Sequence, residues 1–251
     1  MLPFQIKVCG ISKPDDAICA CEAGADAIGL NFYEKSVRFV DDAAAKRVVD
    51  AVAEFNAANG TKVKTIGVFV NKSEAEIVRI QQAVGLDGIQ LHGNEEPECF
   101  SSIIELFGEA WGEKDIDLIR AIRPKQMVSS DNGSAVSGGT ANQEQDISSV
   151  SDVIKRWTQG RFVSILIDAH VPGEFGGTGK KVDWSSVPQL VETSGTELVL
   201  AGGLNSWNVK EAIEVSKVKA VDVASGVEST PGVKDRDQIL KFVTAALGAF
   251  A

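Results

Sequence analysis

Residues Glu197–Gly226 read ELVLAGGLNSWNVKEAIEVSKVKAVDVASG. The stretch opens on a short apolar run, Glu197–Leu200, and turns at Gly202-Gly203. It continues as a helical pattern over Trp207–Val215, which Asn205 or Ser206 can cap, with Val209, Ala212 and Ile213 on one face. A second apolar run, Ala220–Ser225, ends on Gly226. A helix between two strands carries the chain back to where the first strand began, so the two strands run parallel.

The same unit recurs upstream. Strand-like runs fall at Gln5–Cys9, Ala27–Phe32, Lys64–Val70, Gly88–Leu91, Leu118–Ile122 and Phe162–Asp168, which makes eight with the two above. Helical patterns fit between them. The first has Ser12 as a cap, Pro14 early, Asp15 and Asp16 at the positive dipole end and Gly24 as its stop. The last, roughly Asp235–Leu247, has Ile239, Leu240, Phe242 and Val243 as its buried stripe. A six-stranded open sheet would leave two runs unplaced. The pattern therefore predicts an α/β fold of the TIM-barrel class, one (β/α)8 domain over residues 1–251.

One stretch breaks the rhythm. Ser129–Ser151 holds seven serines and three glycines in 23 residues, with little apolar periodicity, and reads as a flexible insertion after strand five. Glu95–Lys114 is long for one helix and reads as a helix plus a loop.

Composition narrows the function classes. The 251 residues carry a net charge of −10, with 44% hydrophobic and 24% charged residues. Nucleic acid and anionic membrane surfaces need clustered Lys and Arg, so neither is expected as a partner. No apolar run is long enough to span a membrane, and no signal peptide is visible. Four irregularly spaced cysteines make no disulfide framework in a chain this long, which points to a reducing, cytoplasmic setting. Cys19-x-Cys21 is no usable zinc pair without partners, so no metal is expected.

In a barrel of this kind the active site lies where strands end and the following loops begin. Those positions hold Cys9-Gly10, Asn31 with Arg38 beyond it, Asn71, Gln90 to Gly93, Arg120 to Arg123, Asp168, Gly202-Gly203 and Ser225-Gly226. The glycine turns after strands seven and eight suit an anion approached by backbone N–H groups, and that is the usual phosphate position of barrels. Gln90 and His92 share a face and can line the pocket. His170 and the Gly176–Gly179 loop follow Asp168. The latter lacks the Gly-Lys-Ser/Thr of a nucleotide loop and reads as a flap. Alternation puts Lys7 on the inward face with Cys9. Asp222 faces inward on strand eight, next to strand one in a closed barrel, so Lys7 and Asp222 are expected to pair and to leave positive potential near the thiol.

Six motifs in order, Lys7–Ile11, Gly67–Asn71, Gln90–Gly93, Leu166–Ala169 with Gly176–Gly179, Leu200–Leu204 and Val221–Glu228, resemble those of the phosphoribosylanthranilate isomerase family. The resemblance spans nearly the whole chain apart from the Ser-rich stretch and parts of the fourth helix region. It implies an aldose–ketose isomerase of tryptophan biosynthesis. The reaction would be the Amadori rearrangement of N-(5-phosphoribosyl)anthranilate to 1-(2-carboxyphenylamino)-1-deoxyribulose 5-phosphate, with no cofactor. On that resemblance Asp168 matches the family's general acid, Cys9 its general base, and Arg38 the arginine that pairs with the anthranilate carboxylate. Gly202, Gly203, Ser225 and Gly226 fall in the phosphate turns.

The family usually has Ser-Pro-Arg where this chain has Ser36-Val37-Arg38, which removes a fixed φ from the loop. For acid and base to work, the carboxyl must be shifted up and the thiol down from their ordinary values. The expected partner is a phosphosugar substrate, and the expected state a monomer or homodimer. Rival readings are another phosphate-binding barrel isomerase and a barrel that binds a phosphosugar without catalysis.

Overall fold

The computed structural model describes residues 2–108, 116–123, 140–159, 163–168 and 184–251. Eight parallel strands close into a barrel in chain order: β1 Ile6–Cys9, β2 Ala27–Asn31, β3 Lys64–Phe69, β4 Gly88–Leu91, β5 Asp117–Ile122, β6 Val163–Ile167, β7 Leu198–Leu200 and β8 Ala220–Val223. β8 pairs with β1 and completes the ring, with Lys7 in register with Asp222. The eight-unit barrel read from the apolar runs is the observed fold.

Helices follow the strands: α1 Pro14–Ala23, α2 Asp42–Asn59, α3 Glu74–Val84, α4 Glu98–Phe107, α5 Thr140–Thr158, α6 Val187–Ser194, α7 Val209–Ser216 and α8 Arg236–Phe250. Local chemistry sets most of their ends. Asp41, Ser73 and Asp235 cap α2, α3 and α8 by accepting a backbone N–H two or three residues into the helix. Gly24 ends α1 with φ 101°. Two expected caps fail. Lys13, not Ser12, precedes α1 and makes no side-chain cap bond. Asn205 accepts from Trp207 and Asn208 N–H in a turn of its own, which delays α7 to Val209 and leaves Trp207 89% exposed.

The Ser-rich stretch is also corrected in part. Residues 140–151 belong to helix α5, not to a flexible insertion. The apolar residues that hold the helix lie at and beyond the end of that stretch: Val150, Ile154 and Trp157 at helical spacing, packed on the outer core. Trp157 meets Phe100 edge-on and lies under the Arg120 guanidinium. Packing, not propensity, makes this helix. Residues 129–139 lie outside the described residues.

The barrel interior changes character along its axis. Its lower layer is apolar, built from Phe4, Ala27, Ile66, Ile119, Leu166, Val199 and Ala220. Above it, toward the strand C-termini, stand Lys7, Gln90, Asp222 and Asp168, all buried. A short antiparallel hairpin, β9 Glu228–Thr230 and β10 Val233–Lys234, follows β8 and leans on the rim.

Candidate active site

One pocket at the C-terminal rim gathers residues from most of the ring, among them Cys9, Arg38, His92, Asp168, Gly202, Gly203, Asp222 and Ser225. The candidate site residues therefore converge, and Gly226 sits directly behind. A Cβ on Gly226 would fall 1.8 Å from the carbonyl oxygen of Leu204, so only glycine lets the strand-eight turn lie against the strand-seven turn. Gly202 and Gly203 both take left-handed φ, 90° and 68°. Asn208 holds that turn by donating to the Gly203 carbonyl at 3.0 Å.

Cys9 ends β1 with Lys7 and Asp222 beneath it. Lys7 Nζ lies 3.0 Å from Asp222 Oδ2, as the strand alternation and barrel closure require. Burial pushes the Cys9 thiol above its ordinary value, Lys7 pulls it down, and the net shift is upward. The downward shift expected of the thiol is not found, because desolvation outweighs the ammonium beside it. Lys7 itself is held protonated: burial opposes its charge, but Asp222 and Cys9 together more than offset that.

Arg38 enters the same pocket from the loop after β2. Its Nε and Nη2 grip both oxygens of Glu228, at 2.6 and 2.7 Å. Lys234 donates to Glu228 Oε1 at 2.8 Å and to the Ala224 carbonyl at 2.7 Å, and Gly232 N–H to Oε2 at 3.1 Å. Burial would raise Glu228, yet Arg38 and Lys234 hold its carboxyl below the usual range. The rigidity that a proline would lend this loop comes instead from a bidentate ion pair. Gly10 makes the approach possible, since a Cβ there would lie 2.4 Å from Arg38 Cδ.

Asp168, just past β6, is 6% exposed. Its Oδ2 lies 3.1 Å from His92 Nε2, and His92 Nδ1 lies 3.0 Å from the Gln90 amide nitrogen. Arg123 donates to the His92 carbonyl and fixes the backbone that carries the ring. His170 and Gly176–Gly179 fall outside the described residues. Cys19, Cys21 and Cys99 are buried away from the site as free thiols. Among the described residues no His, Cys, Asp and Glu cluster could hold a metal ion.

Residue reading by itself missed Glu228 and Lys234. Both were visible only as a carboxylate and an ammonium near the strand-eight turn, and nothing in the sequence tied them to an arginine about 190 positions away.

A thiol and a carboxylate on the rim of a closed (β/α)8 barrel, facing paired glycine turns, place the chain in the class of α/β-barrel proteins with their polar pocket at the strand C-termini. Comparison with known proteins agrees. The model of the N-(5'phosphoribosyl)anthranilate (PRA) isomerase family matches residues 6–245. An N-(5'-phosphoribosyl)anthranilate isomerase of Pseudomonas syringae pv. syringae is 36% identical over 99% of this chain and 100% of its own. That of Myxococcus xanthus is 37% identical over 98% and 97%. The crystal structure of phosphoribosyl anthranilate isomerase from Thermotoga maritima superposes with a TM-score of 0.72 at 33% identity, covering 98% of this chain and 99% of the other. Another, solved with reduced 1-(o-carboxyphenylamino)-1-deoxyribulose 5-phosphate, gives 0.69 at 32% identity over the same shares. The chain belongs to the N-(5'-phosphoribosyl)anthranilate isomerase family.

Proposed function

We propose that this barrel carries out the Amadori rearrangement of N-(5-phosphoribosyl)anthranilate in tryptophan biosynthesis, with Asp168 as acid and Cys9 as base. The observation that carries the reading is the meeting of Cys9, Asp168, Arg38 and the two glycine turns around one pocket. Asp168 gives its proton to the furanose oxygen. The bond from that oxygen to C1 breaks as the anilino nitrogen lone pair forms the iminium. The Cys9 thiolate then takes the proton from C2, the C2–H electrons form the C1–C2 double bond, and the nitrogen regains its lone pair. The resulting enolamine tautomerises to the ketone.

Arg38 offers its remaining N–H groups to the anthranilate carboxylate, and the turns at Gly202, Gly203, Ser225 and Gly226 receive the phosphate. Three cations, Lys7, Arg38 and Lys234, and the Asp222 carboxylate act on the thiol, while Glu228 pairs with Arg38 and Lys234. The surplus positive charge favours the thiolate against the burial that opposes it.

Every named residue comes from one chain, so a monomer and a homodimer would each carry complete sites. The four free thiols accord with a reducing cytoplasm, and no helix among the described residues is long and apolar enough to cross a membrane.

The test is to mix the protein with freshly prepared phosphoribosylanthranilate and follow the loss of its fluorescence. Turnover is expected. Saturable binding without turnover would favour a barrel that only holds the phosphosugar.

A further inference from the structure

His92 stands between two side chains that decide where its proton sits. The Gln90 amide nitrogen, 3.0 Å from Nδ1, can only donate, so Nδ1 is the bare, accepting nitrogen. The ring proton is therefore on Nε2 and is donated to Asp168 Oδ2 at 3.1 Å.

Gln90 is fully buried, and among the described residues its Oε1 has no hydrogen-bond partner. Turning the amide over would give Oε1 a donor only by moving the ring proton to Nδ1. It would then leave the amide N–H groups without that acceptor and set bare Nε2 against the carboxylate lone pairs. A buried donor left unpaired is rarer in folded proteins than an under-used carbonyl, so the observed orientation is the one a fold retains.

We propose that Gln90 is a positioning residue that locks His92 as the Nε2–H tautomer. Oδ2 of Asp168 is thereby reserved as an acceptor, and the transferable proton is carried on Oδ1. The proposal rests on the reading of Asp168 as the acid. With the other tautomer, the bare Nε2 would draw the Asp168 proton onto the imidazole and away from the ring oxygen of the substrate. The lock also keeps His92 from acting as a second acid. Arg123 and Asp222 are the other charged groups near Asp168. Arg123 is tied to the His92 carbonyl and Asp222 to Lys7, so the Gln90 amide sets the direction of the hydrogen bond between His92 and Asp168.

The chain has two histidines, His92 and His170, so imidazole nitrogen NMR of the full protein, assigned with H170Q, reads the tautomer directly. The expected spectrum at neutral pH is a neutral His92 ring protonated on Nε2. In Q90L the preference should be lost, with kcat down about tenfold or more and KM within about twofold. In Q90E the new carboxylate should bring a proton onto Nδ1. A wild-type His92 protonated on Nδ1, or Q90L with full kcat, would overturn the lock. The wild-type spectrum decides even if a Gln90 variant fails to fold. A dead D168N together with an Nδ1 proton on His92 refutes the lock and spares the acid. A fully active D168N refutes the acid on which the lock depends.

Discussion

The two sides of the pocket support Cys9 and Asp168 in opposite ways. On the β1–β8 side, Cys9 sits on charges: Lys7 against Asp222 below, Arg38 and Lys234 against Glu228 beside it. On the β4–β6 side, Asp168 is bonded to a histidine ring whose partner is an amide. A thiol becomes a base by stabilising its anion, which needs nearby positive charge. A carboxyl becomes an acid by keeping a proton and aiming it, which needs a hydrogen bond of fixed direction. The base side should therefore respond to changes of charge and the acid side to changes of hydrogen-bond direction.

The largest expected effect bears on both sides at once. C9S and D168N should each lower kcat by about 10²–10⁴-fold while leaving the fold intact, as measured by fluorescence turnover and thermal melting. Next is the charged support. K7M leaves Asp222 buried and unpaired, and should cost about 3–5 kcal/mol in denaturant unfolding, much of it recovered in K7M/D222L. In either variant the thiol loses its nearest cation, so its pKa rises further.

E228Q has a smaller cost and the opposite sign. Loss of a bidentate charged bond, worth about 1.5–3 kcal/mol, should lower kcat/KM about 10–100-fold, chiefly through KM. Removing that negative charge strengthens the field of Arg38 and Lys234, so the Cys9 pKa should fall. The smallest effect is that of R79A. It breaks an exposed ion pair with Asp42 on the barrel exterior and should leave melting and kinetics unchanged. A shift of the thiol in R79A as large as that in K7M would erase the distinction between the site and the surface.

The barrel was legible because strand alternation and closure leave little choice. Eight apolar runs with helices between them can be placed in one ring, and the same two rules put Lys7 beside Asp222. Convergence of Cys9, Asp168 and the glycine turns follows from their being at strand ends, and Arg38 joins them from the loop after β2. The Arg38–Glu228 bond does not follow from any such rule. It depends on how the β9–β10 hairpin folds over the rim, which no periodicity encodes. Helix α5 was hidden because Val150, Ile154 and Trp157 lie past most of the polar stretch they anchor. Gln90 and His92 could be placed on one face from their spacing, but the direction of the hydrogen bond between them needs atomic positions.

Cys9, pushed up by burial, and Asp168 act as base and acid in the proposed reaction only with one proton between them. The productive form has that proton on Asp168 and none on Cys9. Loss of the last proton from the pair ends activity, so kcat/KM falls on the alkaline side as the thiol pair finishes titrating. The direct measurement is the rate of Cys9 alkylation against pH, read on its own peptide by mass spectrometry, beside kcat/KM over the same range. The other three thiols are buried and Cys9 is the partly buried one. With Cys9 as the base, the two midpoints should coincide above the ordinary thiol value of about 8.5 and move up together in K7M. An alkaline limb that stays put while the Cys9 titration moves would contradict that role.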